Sequence, residues 1–254
     1  MASEELKAAL AAARAAAEVI RAHYRSNPGV RLKADASPVT EADVLAEEVI
    51  RATLSARFPA YGFCGEETGQ HAIDAESLWL VDPIDGTRAF VREIPFFSTQ
   101  IALMRAGRLV LGVSSAPAFG ELAWAERGGG AFLNDRPIRV SAVSSLSEAA
   151  VSAGNLKSLA RSAQWQRYGE LIAGAAYARG YGDFVHYHLL ARGALDVVVE
   201  SNVNILDIAA LSVIVHEAGG VCTDLEGGDL KLTTTSVLAT NGALHAAVRA
   251  CLGV

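Results

Sequence analysis

Leu78-Trp79-Leu80-Val81-Asp82-Pro83-Ile84-Asp85-Gly86-Thr87 is the stretch on which the reading of this chain turns. An apolar, strand-like run ends abruptly in two acids, a proline and a glycine, so the carboxylates of Asp82 and Asp85 fall where a buried strand reaches the surface. That is a place for chemistry, but Asp, Pro and Gly are also turn formers, and the stretch alone reads equally as a surface turn. Residues distant in sequence decide between the two. Gly65-Glu66-Glu67 lies upstream, and Asp207-Ile208-Ala209-Ala210 with Glu217-Ala218-Gly219-Gly220 lies far downstream.

Taken in order, G-E-E, then D-P-I-D-G-T, then D-x-A-A with E-A-G-G resembles the magnesium-dependent phosphatases of the inositol monophosphatase family, with matches from about Lys33 to Gly220. The resemblance implies an α+β fold, a layered αβαβα sandwich of the inositol monophosphatase and fructose-1,6-bisphosphatase type, with the site between two halves. It also implies a homodimer. By the same resemblance Glu66, Asp82, Asp85 and Asp207 are metal ligands, with Asp82 shared between ions and the backbone carbonyl of Ile84 a further ligand. Thr87, hydrogen-bonded to a neighbouring acid, is the candidate for orienting the attacking water, with Glu67 as a supporting acid. Lys33 and Asp43 lie beside the metals in this pattern, although Thr40-Glu41-Ala42-Asp43 is also a capped helix start.

The physics of such a cluster agrees. Two carboxylates ~4 Å apart repel by about 1 kcal/mol in water and about 4 at an effective dielectric of 20, so four converging acids require cations. All-oxygen ligands favour Mg²⁺ or Mn²⁺ over zinc, and the resemblance implies two or three Mg²⁺ ions that Mn²⁺ can replace. Pro83 lacks an N–H and stiffens the turn that presents the Ile84 carbonyl. Gly86-Thr87 is expected to open a helix whose free N–H groups cradle phosphate oxygens, and Thr87 can serve there as a cap at the same time.

Substrate choice falls to the walls of the site. Glu200, seven residues before Asp207, matches a position that faces the non-phosphate part of the substrate, and Asp207 borders the same space. Asp183, in Gly182-Asp183-Phe184-Val185-His186-Tyr187, resembles the G-D-x-x-x-Y segment of the histidinol-phosphatase branch. Two carboxylates there favour an alcohol bearing an ammonium and an imidazole, which points to L-histidinol phosphate and histidine biosynthesis. Read structurally instead, Asp183 is a helix N-cap and Glu200 a surface acid at a strand end. Leu206 and the Val185-His186 pair depart from the pattern, which usually has an aromatic before the Asp and a small or aromatic pair. An inositol monophosphatase or a nucleotide-bisphosphate phosphatase is the alternative; a non-catalytic binding protein is disfavoured because every ligand acid is present.

Composition narrows the remaining classes. At 254 residues, 51% hydrophobic and 20% charged, the chain is long enough for one large domain or two and has no apolar run of the ~18 residues that a membrane span needs. A net charge of −6 gives no basic footprint for nucleic acid, and it repels a phosphorylated substrate unless local cations reverse the field. Glu4, Glu5, Lys7, Arg14 and Glu18 interrupt the alanine-rich start, so no signal peptide is expected and the protein is read as cytoplasmic. Cys64, Cys222 and Cys251 are odd in number and lack C-x-x-C spacing, against both a disulfide framework and a zinc site. His23, His71, His186, His188, His216 and His245 show no H-E-x-x-H spacing, Ser114-Ser115 has no triad partners nearby, and Gly128-Gly129-Gly130 lacks a phosphate-loop lysine.

Periodicity orders the elements. Leu6, Leu10, Ala13, Ala17, Ile20 and Tyr24 predict a first helix, stopped at Asn27-Pro28-Gly29, and a second runs from Thr40 to about Arg57. Strands are predicted at 61–64, 98–105, 108–115, 121–126 and 130–133, the last four as an antiparallel meander, with a turn at 134–137. The Ser-rich stretch 141–147 marks a boundary between an N-terminal half, 1–143, and a C-terminal half, 144–254. Beyond it the pattern predicts a strand at 148–153, helices at 158–173 and 183–191, a strand at 195–200, and a helix at 207–218 that Gly219 and Gly220 end.

Overall fold

The computed structural model describes residues 2–26, 29–33 and 37–254. The chain opens with α1 (Glu4–His23), the short antiparallel pair β1 (Arg31–Leu32) and β2 (Pro38–Val39), and α2 (Glu41–Arg57). An eight-stranded sheet follows: β3 (Gly62–Gly65), β4 (Gln70–His71), β5 (Ser77–Asp85), β6 (Ser98–Arg105), β7 (Arg108–Ala116), β8 (Glu121–Glu126), β9 (Ala131–Leu133) and β10 (Arg136–Ile138), in the order β10-β9-β8-β7-β6-β5-β3-β4. The short helix α3 (Thr87–Val91) sits between β5 and β6. A five-stranded sheet is built from β11 (Ala150–Ala153), β12 (Tyr177–Arg179), β13 (Val197–Ser201), β14 (Val221–Thr223) and β15 (Ser236–Thr240), in the order β12-β11-β13-β15-β14. Its helices are α4 (Leu156–Leu159), α5 (Trp165–Gly174), α6 (Asp183–Ala191), α7 (Ile205–Glu217) and α8 (His245–Leu252).

Three packed interfaces stack these elements into five layers. Because side chains alternate along a strand, β5 sends Trp79 and Val81 to one face and Leu78 and Leu80 to the other. The first face meets α1 and α2 through Ile20, Ile50 and Leu54; the alanines of α1, among them Ala9, Ala12 and Ala16, let the layers approach. The second face meets α6 and α7, whose opposite side packs on Val198 and Ala239 of the small sheet. On the far side of that sheet, Leu159, Leu171 and Val248 of α4, α5 and α8 cover Val151, Val199 and Leu238. The αβαβα sandwich expected from the motifs is the observed architecture. Sandwiched between sheets, α7 is apolar all round, with ten of its 13 residues buried. It lies so close to β7 that a Cβ at Gly112 would stand 2.2 Å from the Ala210 carbonyl oxygen.

Two local expectations change. The helix predicted at 158–173 is two, α4 and α5, separated where the Ser162 hydroxyl donates to the Leu159 carbonyl (2.7 Å) and accepts the Gln164 N–H (3.3 Å). Arg136 and Pro137, read as part of a turn, lie in the edge strand β10, where a proline costs no ladder bond, and Asn134 and Asp135 make the turn with positive φ. The stop expected at Asn27-Pro28 falls on residues outside those described. Among the described residues no helix is long and apolar enough to cross a membrane, and the three cysteines are free.

Candidate active site

β5 delivers the two acids of its own strand from the middle of the large sheet. Its register with β6 shifts between Asp82 and Asp85, where the turn folds back on itself: Asp82 Oδ1 accepts the Ile84 N–H at 2.9 Å, and the Pro83 carbonyl accepts the Thr99 hydroxyl at 2.8 Å. Gly86 then adopts φ 89°, and a Cβ there would lie 2.5 Å from the Phe96 carbonyl oxygen, so only glycine fits. Asp207 arrives from the opposite direction, at the start of α7. Its Oδ2 accepts the Asn204 N–H at 2.8 Å while Asn204 Oδ1 accepts the Leu206 N–H at 3.1 Å, a reciprocal cap that fixes the carboxylate. One oxygen each from Asp82, Asp85 and Asp207 lies within 4.8 Å of the others.

Glu66 follows β3 in the next loop, near enough for its charge to act on Asp82. The loop is anchored by Glu47 of α2, fully buried, which accepts the N–H groups of Glu67 (2.8 Å) and Thr68 (2.6 Å). Glu47 was not anticipated; its place one helical turn beyond Asp43 was the available signal. Lys33 Nζ bridges Glu66 and Glu67, 2.7 Å from each. The four acids therefore do not form one uniform cluster: three share a centre, and Glu66 is divided between Asp82 and Lys33.

Thr87 and Asp43 form a separate pair at the edge. The Thr40 N–H and hydroxyl both donate to Asp43 Oδ2, at 2.8 and 2.5 Å, which leaves Oδ1 for the Thr87 hydroxyl at 3.1 Å. The Ile84 carbonyl, 3.0 Å from Thr87 Oγ1, competes for the same proton. Gly86, not Thr87, is the helix cap, and the first N–H groups of α3 have no intrahelical acceptor.

Electrostatics set these acids apart from ordinary surface carboxylates. Burial, then Glu66, Asp85 and Asp207, drives the Asp82 pKa well up; burial, then Asp183, Asp207 and Glu200, does the same to Asp85. Burial raises Asp207 to about 7 and Glu67 to about 7, the latter despite Lys33. Burial pulls the other way on Lys33, but its hydrogen bonds to Glu66 and Glu67 leave its pKa raised. Among the described residues no lysine or arginine pairs with Asp82, Asp85 or Asp207. With Asp82 buried, Asp85 and Asp207 half-buried, all donors oxygen and no counter-ion among the described residues, this set fits a hard divalent cation.

Beyond the acids a cleft of about 280 Å³ opens, lined by Asp85, Asp183, Glu200 and Asp207 together with Asn155 and Tyr187. Asp183 is not the cap of α6: that place belongs to Gly182, and Asp183, at φ 46°, makes no capping bond. Burial and the neighbouring Glu200 raise it to about 6. Glu200 is no surface acid either, since it is 4% exposed and accepts the Tyr187 hydroxyl at 2.8 Å. His188 stands elsewhere, with Nδ1 2.8 Å from Glu121 and Nε2 2.9 Å from Ser114, a buried tie between α6 and the large sheet. Arg88, which no motif singled out, borders the cleft.

The chain is similar to the histidinol-phosphatase of Mycobacterium tuberculosis, 40% identical over 251 residues and covering 96% of each chain. It is similar to the inositol-1-monophosphatase of Mesorhizobium japonicum, 38% identical over 227 residues, covering 87% of this chain and 85% of that one. Among solved structures it superimposes on the extragenic suppressor protein suhB from Bartonella henselae with a TM-score of 0.90, 34% identity and 98% of each chain covered. The model of the inositol monophosphatase family matches residues 1–252, and the chain belongs to that family of metal-dependent phosphatases.

Proposed function

We propose that this phosphatase is a Mg²⁺-dependent phosphomonoesterase that hydrolyses L-histidinol phosphate to histidinol and phosphate, a step of histidine biosynthesis. The observation that carries the substrate is the acidic wall: Asp183 and Glu200 line the same cleft as Asp85 and Asp207, where a cationic alcohol is favoured. The similarity to a histidinol-phosphatase supports it. A second reading, an inositol monophosphatase, is favoured by the nearly equal identity to the Mesorhizobium relative, because carboxylates also accept inositol hydroxyls. A cytoplasmic homodimer is part of the proposal and rests on the family resemblance.

In this reading Glu66, Asp82, Asp85, Asp207 and the Ile84 carbonyl hold two or three Mg²⁺ ions, for which Mn²⁺ can substitute. Bound divalent ions supply the charge that offsets the phosphate and lower the pKa of a water. The chain's own residues do the rest. When the Thr87 hydroxyl donates to Asp43, its lone pairs remain open to accept a hydrogen bond from the attacking water and aim it. Glu67 keeps Lys33 at the mouth of the site, and the N–H groups after Gly86 receive phosphate oxygens. Asp183 and Glu200 bind the alcohol. The test is a panel of phosphate esters with Mg²⁺ and with a chelator: histidinol phosphate is expected to be hydrolysed fastest and only with metal, and preference for inositol phosphate would move the assignment to the second reading.

A further inference from the structure

His186 has a definite set of partners in the structure. The ring, on α6, is fully buried and reaches side chains on two adjacent strands of the small sheet. Nδ1 lies 3.3 Å from Ser152 Oγ on β11, and Nε2 lies 3.2 Å from Glu200 Oε2 on β13. Ser152 Oγ already accepts the Tyr181 N–H at 3.2 Å, which leaves its own proton for Nδ1. The ring proton of a neutral His186 then belongs on Nε2, pointing at Glu200, and a protonated ring would donate there as well. Glu200 Oε2 thus receives two donors, His186 and the Tyr187 hydroxyl.

The other oxygen of Glu200 has a different situation. Among the described residues Oε1 has no hydrogen-bond partner, although Glu200 lines the cleft. It rests over Gly154, where a Cβ would come within 1.9 Å of it. With one oxygen held from behind and the backbone stripped to glycine in front, the carboxylate has one orientation. A buried imidazole, serine and glutamate form a costly way to fill a core that an apolar side chain would fill as well.

We propose that His186 is a specificity-determining positioning residue: backed by Ser152, it holds Oε2 of Glu200 so that Oε1 faces the leaving alcohol as an acceptor for a cationic group. This role rests on the histidinol-phosphate reading and extends it to a residue that touches no substrate atom.

The experiment compares kcat and KM for histidinol phosphate and for glycerol phosphate, whose alcohol is uncharged, in the Mg²⁺-loaded protein and its variants. His186→Phe is expected to lower kcat/KM for histidinol phosphate about tenfold or more, chiefly through KM, and to change glycerol phosphate less than about twofold. His186→Gln, which can keep an N–H near the Nε2 position, recovers most of the loss. Ser152→Ala removes the group behind the ring, together with the acceptor of the Tyr181 N–H, and gives a smaller shift of the same kind; it carries the test if the Phe variant fails to fold. Equal losses on both esters, or none, in His186→Phe and Ser152→Ala overturn the role. Glu200→Gln separates the two levels: if the parental protein does not favour the cationic ester, the histidinol-phosphate reading fails. If it does, and Glu200→Gln loses the preference while the His186 and Ser152 variants keep it, only the role of His186 fails.

Discussion

Removing divalent metal should make the stability of this protein depend on pH in an unusual direction. Asp207 and Asp183 have folded pKa values raised from 3.8 to about 7 and about 6, mainly by burial. An acid whose pKa is raised by folding binds its proton more tightly in the fold, so its contribution favours the fold at low pH and is lost as pH rises through the folded pKa. From pH 5 to pH 7 Asp207 remains protonated in the fold but ionised in the unfolded chain, which at 1.36 kcal/mol per pH unit costs about 2.7 kcal/mol of stability. Asp183 adds about 1.4 between pH 5 and pH 6 if it titrates independently. Coupling within the cluster makes about 3 kcal/mol the working figure, or roughly 6–12 °C in Tm for a chain of this size. The assay is thermal unfolding of chelated protein at pH 5 and pH 8, with and without Mg²⁺. The metal-free protein is expected to melt higher at pH 5, and Mg²⁺ should close the gap by raising Tm at pH 8. Equal melting temperatures at the two pH values, or no response to Mg²⁺, would refute the claim that these acids are an uncompensated cation site.

Three further outcomes follow from individual contacts. Asp82→Asn removes a charge from the centre of the cluster and should abolish nearly all hydrolysis while narrowing the pH effect in chelated protein, both readable on one preparation. Thr87→Ala should lower kcat with little change in KM, since the hydroxyl is proposed to aim water and not to hold substrate; steady-state kinetics on any accepted ester decides it. Gly154→Ala forces a methyl group into Glu200, which Tyr187 and His186 hold in place, so it should cost about 1–3 kcal/mol in unfolding experiments and weaken binding of the cationic ester more than that of an uncharged one.

The stretch from Leu78 to Thr87 announced both the buried centre of the large sheet and the turn at its end, because strand periodicity and the Asp-Pro-Ile-Asp-Gly run are local signals. The cap at Thr40 is local too and holds Asp43, whereas the cap at Asn204, three residues before Asp207, went unread because the helix was expected to begin at Asp207. What else escaped was set by distance or by rotamer. Glu47 looks like a solvent-facing helical acid until the loop of Glu66 and Glu67 folds over it. The division of Glu66 between Asp82 and Lys33 depends on where a long side chain points, which no spacing encodes. β14 and β15 are short strands and α8 is only eight residues long, and tertiary packing in the small sheet determines them. His186 meets Glu200 only once α6 is laid against β13.

The central claim is that the phosphate end is common to all substrates of this site and the acidic wall selects the alcohol. The most direct measurement is kcat/KM for histidinol phosphate and inositol phosphate, with Mg²⁺, in the parental protein and in Asp183→Asn. Losing a charge-assisted hydrogen bond costs about 1.5–3 kcal/mol, or roughly 10- to 150-fold. The parental protein is expected to prefer histidinol phosphate, and Asp183→Asn to lose about that factor on it while a small uncharged ester is almost unchanged. A parental preference for inositol phosphate, or equal losses on charged and uncharged esters in Asp183→Asn, would contradict it.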